Sequence, residues 1–100
     1  MGNRIPLTNI KEKLHVQLAL VSEQYQVKSL GVFGSYVRHE QSTSSDLDLL
    51  VAFNEMPGLL KFIELENYLT DLLGIKVDLV MQENLKPRIG KRILREVLPV

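Results

Sequence analysis

Apolar positions recur along the chain in two rhythms, and the switches between them mark out the elements. Ile10, Leu14, Leu18, Val21 and Tyr25 follow one another at spacings of four, four, three and four, which is one face of a helix. A helix is therefore predicted over about 9–25, with Asn9 and Glu12 placed like the two ends of a capping box. "SLGVF" at 29–33 is short, apolar and rich in strand formers, and predicts a buried strand closed by glycine and serine. The stretch 36–45 is polar and ends in "QSTSS", a loop composition, with a short helix able to open near Ser35. "DLDLLVAF" at 46–53 predicts a second strand whose far half is apolar on both faces, as in the middle of a covered sheet. After Met56-Pro57-Gly58, helical spacing returns with Leu59, Phe62, Leu65, Leu69 and Leu72. Ile63 and Leu73 widen that stripe, and Gly74 stands where a C-cap glycine belongs. "IKVDLVM" at 75–81 predicts a third strand, with Ile75, Val77, Leu79 and Met81 on one face and Lys76, Asp78 and Val80 on the other. Pro87 opens a last helix carrying Ile89, Ile93 and Val97 at spacings of four.

The order helix, strand, short helix, strand, helix, strand, helix predicts an α+β fold, an α/β mixed sheet of about three core strands flanked by helices. With 100 residues, no internal repeat and no long linker, residues 1–100 read as a single domain. Chains this short bury only about 60–70% of the surface they expose unfolded, which leaves room for a homo- or hetero-oligomer to extend the core. Lys+Arg and Asp+Glu number 12 each, and that balance argues against a broad nucleic-acid or membrane surface. The absence of cysteine excludes disulfides, thiolate zinc sites and thiol nucleophiles. No apolar run approaches the roughly 18 residues of a spanning helix. The opening residues also lack the apolar region of a signal peptide, so a cytoplasmic location is expected.

The candidate chemistry lies where the strands meet the loops. Asp46 and Asp48 are two apart on the second predicted strand, so both carboxylates should share a face. Side by side they repel, and something positive should sit between them. Mg²⁺ fits, because it takes hard oxygen ligands and shares them with substrate phosphates. Asp78 on the third strand completes a three-carboxylate cluster if that strand pairs beside the second. Gly34 lets backbone approach a phosphate closely, and a helix opening at Ser35 would aim N–H groups at an anion. Ser35 adds a hydroxyl, and Arg38 is placed as a phosphate clamp or as the partner of an acid. His15, His39, Tyr25, Tyr36 and Tyr68 read as packing or surface residues. The basic run Lys86, Arg88, Lys91, Arg92 and Arg95 reads as a solvated helix face.

Gly34-Ser35, ten residues, then Asp46-Leu47-Asp48 resembles the signature of the minimal nucleotidyltransferases, within the DNA polymerase β-like nucleotidyltransferase superfamily. "GVFGSYVRHE", "SDLDLLVAF", "IKVDLVM" and "LKPRIGKRILREVLPV" extend the likeness over about 28–100. The resemblance implies that superfamily's small mixed sheet. It implies that Asp46 and Asp48 bind two Mg²⁺ ions, with Asp78 the third carboxylate, orienting or deprotonating the attacking hydroxyl. It further implies that Gly34 and Ser35 hold the phosphates of ATP, and that AMP passes to a hydroxyl with pyrophosphate leaving. Members of this size are often antitoxins that attach AMP to a tyrosine of a HEPN-domain ribonuclease toxin, which makes such a toxin the expected partner. The chain departs from the pattern at His39, where the family usually has glycine. The competing expectation is a non-catalytic subunit that neutralises its partner by contact.

Overall fold

The structure, a computed structural model, describes residues 6–42 and 45–100. Helix α1 spans Leu7–Tyr25, strand β1 Val27–Phe33, β2 Leu47–Phe53, α2 Leu59–Leu73, β3 Val77–Met81, α3 Pro87–Glu96 and β4 Leu98–Pro99. Single 3₁₀ turns follow β1 at Gly34–Tyr36 and β3 at Gln82–Asn84. The strands form one sheet in the order β3-β2-β1-β4. β1 is antiparallel to both β2 and β4, while β2 and β3 are parallel. The parallel pair needs a crossover, and α2 supplies it.

Alternation along the strands separates two faces. Leu30 and Val32 of β1, Leu47, Leu49 and Val51 of β2, and Val77 and Leu79 of β3 belong to the core cluster. That cluster also takes Ile10, Leu14, Val21 and Tyr25 of α1 and Leu65, Leu69 and Leu73 of α2, so both helices cover this face. The Tyr68 hydroxyl donates to Gln17 Oε1 at 2.8 Å and ties α2 to α1. The other face carries Asp48 and Asp78, with α3 near one end of it.

α2 also closes the outer edge of the sheet. The N–H of Val77 donates to Thr70 Oγ1 at 3.1 Å and that of Leu79 to Glu66 Oε2 at 2.9 Å. These amides would otherwise offer the free edge of β3 to another strand. Gly74, at φ +71°, ends α2 in the left-handed conformation, and its N–H donates to the Thr70 carbonyl at 2.9 Å.

Several expected boundaries move. α1 starts at Leu7 after Pro6 with no side-chain cap, so Asn9 lies inside the helix and forms no capping box. On α2, Leu59 is 74% exposed and Ile63 41% exposed. At 3.6 residues per turn, Ile63 sits about 200° around from Leu65 and faces away from the core. β1 begins two residues earlier than expected, and β3 begins at Val77 rather than Ile75. The last helix stops at Glu96, and Val97 leaves it for the unforeseen strand β4. Pro99 explains this, because a residue before proline avoids helical backbone, which sends Leu98 extended. β4 then pairs with Gly31 and Val32, and the Val100 N–H donates to the Leu30 carbonyl at 3.0 Å. No helix among the described residues is long and apolar enough to cross a membrane.

Gly31 is where β4 presses closest: a Cβ there would run into the Val97 side chain, with the Leu98 carbonyl oxygen 3.3 Å away. Gly31→Ala is expected to destabilise the fold by about 1–3 kcal/mol through overpacking, read as a lowered urea midpoint at unchanged m-value.

Candidate active site

β1 runs antiparallel to β2 and β3, so its C-terminal end lies beside their N-terminal ends. Phe33 pairs with Asp48, and Asp48 pairs with Asp78. Paired residues of parallel strands point to the same face, and neighbouring strands lie about 4.8 Å apart. Asp48 and Asp78 therefore stand side by side, with the Gly34 turn on the far side of Asp48. Gly34 is at φ +81°, and a Cβ on it would strike the Asp48 carboxylate. Glycine is required here on both counts, for its backbone conformation and for the close approach.

Asp46 does not belong to the strand, which starts at Leu47, and it is exposed. Its charge still reaches the site. Burial pushes the Asp48 carboxyl up from 3.8 to about 6, and the charges of Asp78 and then Asp46 add to that push, against Arg38. Burial also raises the Tyr36 hydroxyl, with Asp46 as the second cause. Ser35 is half-buried in the turn, Arg38 is exposed, and Asp78 is exposed beside the half-buried Asp48. The short helix expected near Ser35 is a single 3₁₀ turn, Gly34–Tyr36, so it brings little helix dipole.

Two further side chains enter from α3. Glu96 Oε2 accepts from the Gly34 N–H at 2.9 Å, and its Oε1 accepts from Arg38 Nη1 at 2.7 Å. Burial alone would raise the Glu96 carboxyl, but the Gly34 N–H, the Arg38 hydrogen bond and the charges of Arg38 and Arg92 outweigh it and hold the group below its usual range. Arg38 also reaches Glu40 at 3.3 Å. A cleft of about 260 Å³ opens between the Gly34 turn and α3, with Phe33, Ile89 and Ile93 as its apolar wall and Arg38, Asp48, Arg92 and Glu96 as its polar one. A larger cleft, about 460 Å³, lies along α1 by Lys11, Glu12, His15 and Val16. It does not touch Asp48, Asp78 or Gly34, and the smaller cleft is the one with convergent charge.

Glu96, and the place of Arg92 at the site, lie beyond what the local sequence pattern predicts. A signal was present: Glu96 is the lone acid in a helix otherwise charged by Arg88, Lys91, Arg92 and Arg95. His39, exposed in the loop after the turn, sits at φ +58°. That backbone is one glycine adopts without strain, so the glycine that the resemblance implies at this place would fit it.

The donor set suits a hard divalent cation: carboxylate oxygens, crowded by like charge. Among the described residues no three acidic or histidine side chains close into a ready-made cage. Asp48 and Asp78 are the pair that the register sets side by side, and Asp46 does not join them in such a group.

A four-stranded mixed sheet helix-covered on one face, with acids at the strand starts beside a glycine turn, is the arrangement of a minimal nucleotidyltransferase. Residues 16–99 match the nucleotidyltransferase domain family, and the chain belongs to it. It is 51% identical over 96 residues to the protein adenylyltransferase MntA of Thermococcus cleftensis, covering 96% of this chain and 97% of that protein. A Methanocaldococcus jannaschii protein provisionally named a protein adenylyltransferase is 50% identical over 95 residues, covering 94% of this chain and 97% of that one. Among solved structures, one provisionally described as a minimal nucleotidyltransferase superposes with a TM-score of 0.82 at 37% identity, over 99% of this chain and 100% of that one. A complex of MNT antitoxin with tri-AMPylated Shewanella oneidensis HEPN toxin matches in fold, with a TM-score of 0.66 at 18% identity, covering 90% of this chain and 70% of that one.

Two substitutions probe the electrostatics and the backbone. Because the folded Asp48 sits at about 6 rather than 3.8, its stabilising proton is lost as pH rises through that interval. Asp48→Asn should therefore be more stable than the native chain at pH 7.5 by about 1–2 kcal/mol, allowing for solvent screening, and the gain should vanish near pH 4. Thermal unfolding across that pH range measures it. His39→Gly should stabilise by about 1 kcal/mol by removing left-handed strain, read from the same melts.

Proposed function

We propose that the chain transfers AMP from ATP to a hydroxyl on a partner protein, with Asp46, Asp48 and Asp78 as the catalytic carboxylates. The observation that carries this reading is the register that sets Asp48 beside Asp78 and against the Gly34 turn. Gly34 and Ser35 receive the phosphates of the nucleotide, and Arg38 contributes positive charge from the rim. The apolar wall of Phe33, Ile89 and Ile93 offers a dry surface beside them.

The three carboxylates would hold two Mg²⁺ ions, which when bound screen the triphosphate and favour in-line displacement at the α-phosphorus. Asp78 orients the acceptor hydroxyl and takes its proton. The acceptor oxygen then bonds to the α-phosphorus as the bond from that phosphorus to the bridging oxygen breaks, and pyrophosphate departs with the electron pair. Asp48 must be ionised for the site to work, and its raised carboxyl means that a cation lowers the energy of the charged form.

The acceptor is read as a tyrosine of a HEPN-domain ribonuclease toxin, and the chain as its antitoxin. Support comes from the relatives named as protein adenylyltransferases and from the likeness in fold to the antitoxin seen with an AMPylated HEPN toxin.

Incubation with labelled ATP and Mg²⁺, with and without a HEPN-domain protein as acceptor, tests the reading. Asp46→Asn and Asp48→Asn are expected to lower labelling at least about 100-fold while far-ultraviolet circular dichroism stays native. Labelling at the native rate by both variants would refute transfer at this site. Neutralisation of the partner by both variants without labelling would point instead to inhibition by contact.

A further inference from the structure

The Gly34 N–H and the Arg38 guanidinium are the donors given above to phosphate, and in this fold both already hold an anion. Glu96 bridges them, with one carboxylate oxygen on each, at 2.9 Å and 2.7 Å. Its partners stand 62 and 58 residues away in the chain, so only the docking of α3 brings the carboxylate there. A carboxylate with two charge-assisted bonds to an amide and a guanidinium makes the kind of contact that a phosphate oxygen pair makes. The Glu96 side chain is 17% exposed and that of Arg38 40%, so an anion arriving from solution can reach the pair.

We propose that Glu96 sets the affinity for the nucleoside triphosphate as an internal competitor, seated on Gly34 and Arg38 in the free protein and displaced by a nucleotide phosphate. The inference rests on the reading of Gly34 and Arg38 as phosphate-binding groups. In the exchange, two hydrogen bonds pass from a carboxylate to phosphate oxygens, and no donor is left bare. The arrangement has a use in the free protein: Gly34 is buried, and without Glu96 its N–H would lack a partner. The displaced carboxylate also has somewhere to go. Arg92 stands four residues back, one turn along α3. It lines the same cleft and its charge already acts on Glu96. Leaving Gly34 also takes one negative charge away from Asp48, which Glu96 otherwise helps to crowd. Glu96 is thus a positioning residue that keeps Gly34 and Arg38 in place and yields both to phosphate.

The test is calorimetric titration of the full chain with ATP in the presence of Mg²⁺. Glu96→Gln keeps the shape and removes the charge, and it is expected to tighten ATP binding by about 3–10-fold, as fits the loss of a charged hydrogen-bonded competitor at a partly exposed site. A residue that merely braced the turn would weaken binding when replaced. If the native chain binds ATP and Glu96→Gln binds it equally or less well, the competitor role is overturned while the phosphate site stands. If neither binds, the reading of the phosphate site falls and the competitor role falls with it. A second measurement needs no variant. In the ¹⁵N-labelled native chain the Gly34 amide resonance should move during the ATP titration with the calorimetric Kd, and ATP binding that leaves that resonance in place would also overturn the proposal.

Discussion

Asp48 sits half-buried between two sources of negative charge, with Asp78 on the next strand and Asp46 two residues back along the chain. Unrelieved, such crowding would argue against the arrangement, because like charges in a partly desolvated place disfavour each other's ionisation. It persists because the rest of the fold enforces the register. A parallel neighbour for β2 can be reached only through a crossover, and α2 makes it. The same helix then fastens β3 from outside, through Thr70 on Val77 and Glu66 on Leu79. The acids are therefore held together by backbone pairing and by a helix on the opposite face of the sheet, and a bound cation would relieve a strain that packing has built in.

The C-terminus does comparable work from the other end. Pro99 turns the chain out of α3, Leu98 and Pro99 pair with β1, and Gly31 lets the segment lie close. This anchors the last turn of α3 where Glu96 meets Gly34 and Arg38. A two-residue strand thereby decides where a carboxylate 62 residues from Gly34 comes to rest. Arg92, with Ile89, Ile93 and Glu96, lines the cleft on the same side, so a helix that reads as a solvated surface also forms one wall of the site.

Three expected positions shift in the folded chain. Asn9 has the residue type of a cap, yet a chain entering from Pro6 starts its helix without a side-chain cap. Ile63 and Leu59 fit the apolar spacing of a stripe whose buried centre is Leu65, Leu69 and Leu73 once the helix is laid on the sheet. Val97 continued a spacing of four that proline two residues later forbids. Local spacing marks each helix, while the entry from Pro6, the packing on the sheet and the exit before Pro99 set its ends and its buried face.

Residue order alone carried the alternation of helices and strands, the two core stripes, the glycine turn and the three aspartates, because each of these is a local pattern of period, punctuation or spacing. Periodicity says which face of a strand is apolar, but not which strand lies beside it. The pairing of Asp48 with Asp78, the strand order with β4 at its edge, and the seat of Glu96 on Gly34 and Arg38 needed the folded chain. These contacts join segments far apart in sequence, and their energies arise only when the sheet and helices have assembled.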